Sequence, residues 1–391
     1  MRPRLLFLNN QGLASAGGGV TILRHLVAGL ATDHAVTVAS FDPPGPAPAG
    51  VAQITLPAAP GGGNWHLAPL ARARHLRASL PGGLPGGLPG GLLAGADAVI
   101  AFDCHFALAL AAVPRRRLVY LSLSCIPRQE WFAFPDPRML PRVAQYAWLE
   151  RRLARAAGAV IVSSRRHGDE LRRFSALPRL VPAVLPPVFP AAPSASDPPR
   201  PTATDPPVLL CLGRLEAVKR PALALALMAR LEATGAELWF AGDGPEEPRL
   251  RAEAAALGLG PRVRFLGRVD AVEALLARAS LLVHPSAYES FGIAVFEAMR
   301  AGVPPVCAAS SQPRTVTACA EFATDGSDAM FVDFSRPDEA AVRIAALLAD
   351  PARRAAMGQA ARRSAERLLA SDYVAGFRRQ VLAPLGLEIP A

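Results

Sequence analysis

At 391 residues, 51% of them hydrophobic and 19% charged, the chain can bury more than one ordinary core, and two domains of about 150–200 residues each are expected. Its apolar runs stay well short of the roughly 20 residues that a spanning helix needs, which excludes a helical integral membrane protein. The net charge of +10 comes from the first half: residues 1–190 hold 20 basic against 9 acidic side chains and residues 191–391 hold 22 against 23, with no helix-turn-helix, zinc-finger or aromatic RNA-binding pattern, so nucleic acid is not an expected partner.

Behind Arg2 and Arg4, the apolar stretch Leu5–Leu8 reads as a first strand, being too short for a signal peptide and lacking a small-residue cleavage site. Gly17, Gly18 and Gly19 follow in a loop just before a helical run at Val20–Leu30. Glycines there let a phosphate or sugar approach the backbone at a helix N-terminus, although the spacing matches neither G-x-G-x-x-G nor the P-loop. Short apolar runs at Val36–Ala39, Ala98–Ala101, Leu118–Leu121 and Val160–Val162 read as further strands with amphipathic stretches between them. A tandem Pro/Gly repeat at 81–91 reads as an exposed loop.

Arginine clusters at 115–117, 151–155, 165–166 and 172–173 suit an anionic acceptor or the negative face of a bilayer, a solvated helix face being the other reading. The stretch 190–207, rich in Pro, Ser and Thr, reads as a linker between a first domain at 1–189 and a second at 208–370; residues 371–391 form a helix and tail that return to the first. After the linker, Val208–Leu212, Glu237–Ala241, Val263–Leu266, Leu281–His284 and Pro305–Cys307 read as strands, each followed by a helical or turn segment. Continuous apolar strands alternating with helices imply an α/β fold of two doubly wound, Rossmann-like parallel sheets. Ligands bind beyond the carboxyl ends of such strands. The five cysteines, odd in number and without a C-x-x-C pair, fit a reducing cytoplasm.

Two loops of the second half carry chemistry. Gly213-Arg214 closes its first strand and Lys219 follows five residues later; two fixed cations there suit a pyrophosphate whose charge grows as a bond to it breaks. Lys219 is the only lysine among 42 basic residues, which points to a task for a compact ammonium. In the segment 286–306, Glu289 and Glu297 stand eight apart. A helix beginning near Phe291 or Gly292 leaves Glu289 before it and Glu297 almost two turns in, with free backbone N–H groups at the helix start. Carboxylates accept paired hydrogen bonds from neighbouring sugar hydroxyls. The arrangement describes a nucleotide-sugar, with one glutamate for hexose, the helix-start amides for phosphate and the other glutamate for ribose.

Four motifs occur in order, each at a strand end: G-R-L-x-x-x-K at 213–219, G-D-G-P at 242–245, R-F-L-G at 264–267 and P-S-x-Y-E-S-F-G-x-x-x-x-E-A at 285–298. Together they resemble the retaining glycosyltransferases of the large "glycosyl transferases group 1" family. The resemblance is strong over 208–310 and loose before the linker, where it touches Gly17–Gly19 and Leu185-Pro186-Pro187-Val188. It implies the GT-B fold, two Rossmann-like domains facing each other across a cleft. It also implies Arg214 and Lys219 on the donor phosphates, Glu289 on the transferred sugar, the amides of Phe291 to Ile293 on the distal phosphate and Glu297 on the ribose, in a retaining transfer.

One position departs from the family. Many relatives carry Tyr-x-x-x-His ahead of Pro-Arg, whereas this chain has Ser124 four residues after Tyr120 and before Pro127-Arg128. Serine cannot carry positive charge. His105, after the strand Ala98–Ala101, is the candidate substitute, and His105, Ser124 and Arg128 are the acceptor-side candidates.

The expected reaction transfers a hexose from a nucleotide-sugar to a glycan, lipid-linked or small-molecule acceptor. No metal or cofactor is expected, there being no Asp-x-Asp motif. GDP-mannose is the favoured donor, from the likeness of Tyr120–Arg128 and Pro186-Pro187-Val188 to mannosyltransferases, with UDP-sugars open. The basic first half is expected to contact the inner face of an anionic membrane peripherally. Rival readings are an epimerase or phosphorylase of the same fold, a catalytically silent sugar-nucleotide-binding scaffold and, least of all, a nicotinamide-dependent dehydrogenase.

Overall fold

The computed structural model describes residues 2–15, 17–56, 69–79, 92–190 and 206–387, so the Pro/Gly repeat at 81–91 and most of the linker 190–207 lie outside the described residues. The chain divides into two compact units: Met1–Trp131, Pro135–Pro187 and Asp372–Ala391 form one, Phe132–Phe134 and Val188–Ser371 the other.

In the first unit seven strands, β1 (Arg4–Leu8), β2 (Ala35–Ser40), β3 (Val51–Thr55), β4 (Ala98–Ala101), β5 (Leu118–Leu121), β6 (Ala159–Val162) and β7 (Ala183–Val184), lie in the order β3-β2-β1-β4-β5-β6-β7. Every neighbouring pair is parallel. β4 and β5 are buried along their whole length, which is why they read as unbroken apolar runs. β3 sits at the edge with none of its five residues buried, and Gln53 and Thr55 keep its sequence VAQIT from reading as an unbroken apolar run. The core gathers Leu6, Leu8, Val99, Phe106, Tyr120 and Leu149.

The C-terminal segment packs into this same unit. A Cβ on Gly29, in the helix Gly18–Leu30, would lie 2.7 Å from a Val374 methyl, so a side chain there would push the C-terminal segment away. Arg378 donates to the Gly29 carbonyl at 2.8 Å and pairs with Asp33 at 3.0 Å, and His34 Nε2 bonds the Leu387 carbonyl at 2.9 Å.

In the second unit β8 (Val208–Leu212), β9 (Glu237–Ala241), β10 (Val263–Gly267), β11 (Leu281–His284), β13 (Pro305–Ala308) and β15 (Met330–Val332) make a parallel sheet in the order β10-β9-β8-β11-β13-β15. β12 (Tyr288–Glu289) and β14 (Val316–Thr317) pair separately. Two doubly wound parallel sheets are thus present as expected, with every expected strand in place. Strand order reverses between β1 and β4 and between β8 and β11, and beyond the carboxyl ends at such reversals an α/β sheet leaves a crevice for ligands. Among the described residues no helix is long and apolar enough to cross a membrane.

Candidate functional site

The crest of the second sheet is built around the ends of β8 and β11. After β8 the backbone turns through Gly213 (φ 133°), and the Gly-Asp-Gly-Pro turn packs directly on it: Leu215 N–H donates to the Asp243 carbonyl at 2.8 Å. A Cβ at Gly242 would lie 2.1 Å from the Gly213 carbonyl oxygen, so only glycine permits this backbone-on-backbone contact. Arg214 leaves this turn half-exposed, its Nε 2.6 Å from Glu216 Oε1. Lys219 ends a short 3-10 turn, Ala217–Lys219.

Two backbone ladders hold Glu289 opposite that turn. Ala287 N–H donates to the Val218 carbonyl at 2.8 Å, and Ala318 N–H to the Glu289 carbonyl at 3.0 Å, while β12 pairs Glu289 with Thr317. Arg220 adds a clamp by donating to Thr315 Oγ1 at 3.1 Å and to the Arg314 carbonyl at 2.7 Å. Lys219 Nζ therefore meets Glu289 Oε1 at 2.6 Å. His284, at the end of β11 and buried, places Nε2 2.9 Å from the same oxygen. Burial alone would push the Glu289 carboxyl up, but the Lys219 ammonium and His284 hold it well below the usual carboxylate range. It is an anchored carboxylate with both bonds on Oε1.

Past Glu289 the chain turns through Gly292 (φ 101°) into the helix Ile293–Ala301, where a Cβ would stand 2.7 Å from Cys319 Sγ. No side chain caps this helix, so its first N–H groups are offered at the crest without intrahelical acceptors. Phe291 is buried against Phe322, ring centroids 4.8 Å apart, which fixes the approach to the turn. Glu297 lies in the second turn, where burial pushes its carboxyl up to about 7, against the pull of Arg300 and with Glu273 adding to the rise. The unit thus brings Lys219, Glu289 and the start of this helix together, whereas Arg214 turns to Glu216.

The first-unit candidates have different surroundings. The helix begins at Gly18, two residues earlier than expected, with Gly17 (φ 130°) before it, so Gly18 and Gly19 form its first turn. His105 is buried after β4; its Nδ1 donates to the Asp103 carboxylate, its ring stands edge-on to Tyr146 at 5.4 Å, and Nε2 has no hydrogen-bond partner among the described residues. Asn10 Nδ2 donates to the other Asp103 oxygen, and Arg72 donates to Asn10 Oδ1 at 2.8 Å. These groups collect beyond β1 and β4, where strand order reverses. Asp103, Cys104 and His105 also bring three donor atoms within 4.8 Å of one another, but burial pushes the Cys104 thiol well up and Asp103 is committed to His105 and Asn10. Ser124 Oγ donates to Gln129 Oε1 at 2.7 Å, and Arg128 pairs with buried Glu170 at 3.0 Å with its guanidinium over the Phe174 ring.

Sequence reasoning missed His284, although it immediately precedes the motif that holds Glu289 and closes a strand beside the reversal. It also missed the Asn10, Asp103 and Arg72 network, whose members are 62 and 93 positions apart and carry no motif.

Two family models match the chain in succession: "glycosyl transferase 4-like domain" over residues 17–187 and "glycosyl transferases group 1" over 195–364. The alpha-D-kanosaminyltransferase of Streptomyces kanamyceticus is 30% identical over 252 residues, 60% of this chain and 63% of that protein. The chain spans less than two thirds of the length of the curated relatives it matches, 63% here and 40% and 38% in the next two. The sucrose-phosphate synthase of Thermosynechococcus elongatus shares the fold at a TM-score of 0.81 and 20% identity, covering 98% of this chain and 99% of that one. Anabaena HepE, in complex with UDP and glucose, does so at 0.69 and 19%, covering 98% and 99%. The fold is GT-B, and the chain belongs to the glycosyl transferases group 1 family, with a glycosyl transferase 4-like domain in its first half.

Proposed function

We propose that the chain is a retaining, metal-independent glycosyltransferase that moves a hexose from a nucleoside-diphosphate sugar to a glycan, lipid-linked or small-molecule hydroxyl. The observation that carries this reading is the Lys219–Glu289 contact of 2.6 Å beside the uncapped start of the helix Ile293–Ala301. One bond from Lys219 goes to Glu289, which leaves two N–H donors for phosphate oxygens. Arg214, half-exposed, swings from Glu216 to the same phosphates. Glu289 Oε2 takes the hexose hydroxyls, the amides of Phe291, Gly292 and Ile293 the distal phosphate, and Glu297 the ribose.

In the transfer the bond from the anomeric carbon to the phosphate oxygen breaks and a bond to the acceptor oxygen forms, while the acceptor proton passes to the leaving diphosphate. Lys219 and Arg214 stabilise the charge arriving there, an effect worth about 3–4 kcal/mol per well-placed donor. GDP-mannose is supported as donor by the likeness of Tyr120–Arg128 to mannosyltransferases, and a UDP-hexose by the HepE complex with UDP-glucose. Five buried cysteines, none of them in a disulfide among the described residues, are in keeping with the reducing cytoplasm as the site of the reaction.

Labelled GDP-mannose and UDP-glucose, each incubated with the protein and a glycolipid and oligosaccharide extract, test the reading. Label should pass to an acceptor at a rate unchanged by EDTA, with the anomeric configuration of the donor kept in the product. Transfer abolished by EDTA would overturn the metal-free mechanism, and inversion the retaining one. Isomerisation of the donor without acceptor would favour an epimerase.

A further inference from the structure

The helix Leu140–Ala156 buries Val143, Tyr146, Leu149 and Leu153 against the first unit's core. Its other face is unusual. Leu140 is 52% and Trp148 45% exposed, and Arg152 and Arg155 are exposed further along. Their spacing places all four on one stripe, apolar towards the N-terminal end and basic towards the other.

A groove of about 390 Å³ runs beside the basic end, lined by Trp148, Arg151, Arg152, Arg155 and three alanines, with no acidic side chain. The Arg152 guanidinium lies 5.6 Å from the Trp148 ring centroid. Arg151 is fixed by the Ser175 and Ala176 carbonyls at 3.2 and 2.9 Å. Arg115 donates to the Ala157 carbonyl at 3.2 Å, which brings exposed Arg115 and Arg116 to the same end of the helix. Among the described residues none of these five arginines pairs with a carboxylate. A helix C-terminus favours a cation in its last turn, but that does not account for three guanidiniums lining one groove with an exposed indole and two more at the same end of the helix.

We propose that this face docks the protein on an anionic phospholipid surface. Trp148 and Leu140 enter the boundary between headgroups and acyl chains, where an indole keeps its apolar body buried and its N–H wet. The arginines meet headgroup phosphates, which guanidinium recognises through two parallel N–H bonds. An apolar-floored groove with a leucine and an indole beside the charge fits an amphipathic surface better than a freely soluble anion. The proposal is independent of the transferase reading, because it concerns the first unit and is read by vesicle binding, not by turnover.

The full chain is sedimented with vesicles of phosphatidylcholine alone and of phosphatidylcholine mixed with phosphatidylglycerol, at low and then raised salt. Pelleting is expected only with the anionic vesicles, and salt should reverse it. Arg152→Glu with Arg155→Glu should lower partitioning by at least about tenfold. Anionic vesicles should shift tryptophan emission to the blue in the native protein and far less in Trp148→Phe; that difference decides the matter should the double reversal lower the melting temperature. Equal pelleting with neutral vesicles, no pelleting at low salt, or a folded double variant that pellets like the native protein would overturn the proposal. Binding of inorganic polyphosphate without vesicle binding would overturn it too and assign the groove to a soluble anion.

Discussion

Lys219 and Glu289 are 70 positions apart in the chain and 2.6 Å apart in space, Nζ to Oε1. The contact joins the loop after the first strand of the second sheet to the segment before the helix Ile293–Ala301, at the point where strand order reverses. Glu289→Gln keeps the shape but removes the charge, so turnover should fall at least tenfold, about 1.4 kcal/mol of transition-state stabilisation, with the melting temperature little changed. Lys219→Arg tests why a chain that otherwise uses only arginine keeps one lysine here; a planar guanidinium should not reproduce a point contact and should also lose most activity. Wild-type turnover in both variants would remove these residues from the machinery.

His284 shares Oε1 of Glu289 with Lys219, which on the proposed reading leaves Oε2 for a sugar hydroxyl and makes His284 a positioning residue. His284→Gln can place an N–H near the same point and should retain much of the activity, whereas His284→Leu should raise KM for the donor severalfold and lower kcat. Steady-state kinetics of the two variants check this, and equal loss in both would mean that His284 only fills space.

Glu297 carries a pH signature. Burial pushes its carboxyl up to about 7, so in the free protein it is mostly protonated at pH 6 and mostly ionised at pH 8. On the proposed reading the carboxylate is the form that accepts two ribose hydroxyl bonds, so donor affinity should rise severalfold between those values. In Glu297→Gln the affinity should be weaker and flat across the range. Calorimetric titration of donor at each pH measures it.

Glu150 predicts a pH effect on stability alone. It is fully buried under the start of the helix Ile126–Ala133, accepts the Ile126 N–H at 2.9 Å, and burial pushes its carboxyl from 4.5 to about 8. The folded state keeps a proton that the unfolded chain releases, so this stability is full below about 4.5 and is lost as pH rises through about 8. Glu150→Gln should flatten the fall in melting temperature between pH 5 and pH 9 relative to the native protein. Parallel slopes would show that Glu150 is ionised in the fold.

Strands such as Ala98–Ala101 and Leu118–Leu121 were legible because a parallel sheet covered on both faces demands unbroken apolar runs. Val51–Thr55 was not, since an edge strand with no fully buried residue needs no unbroken apolar run. β12 and β14 are two residues each and exist only because the loops around Glu289 meet. In the candidate site, Glu289 and Lys219 announced themselves by motif and by rarity. Their direct contact did not, because it depends on the Ala287–Val218 backbone bond. The arginine clusters were visible as letters; that Arg151, Arg152 and Arg155 line one groove with Trp148 required the helix to be folded.

The central claim is that the second unit binds a nucleoside-diphosphate hexose through Lys219 and Glu289. Isothermal titration of the full chain with GDP-mannose, UDP-glucose and the bare nucleotides, repeated on Lys219→Ala, tests it most directly. The account predicts that one sugar nucleotide binds the native protein and binds the variant at least tenfold more weakly, about 1.4 kcal/mol. A sugar nucleotide bound equally well by both proteins, or none bound by the native chain, would contradict it.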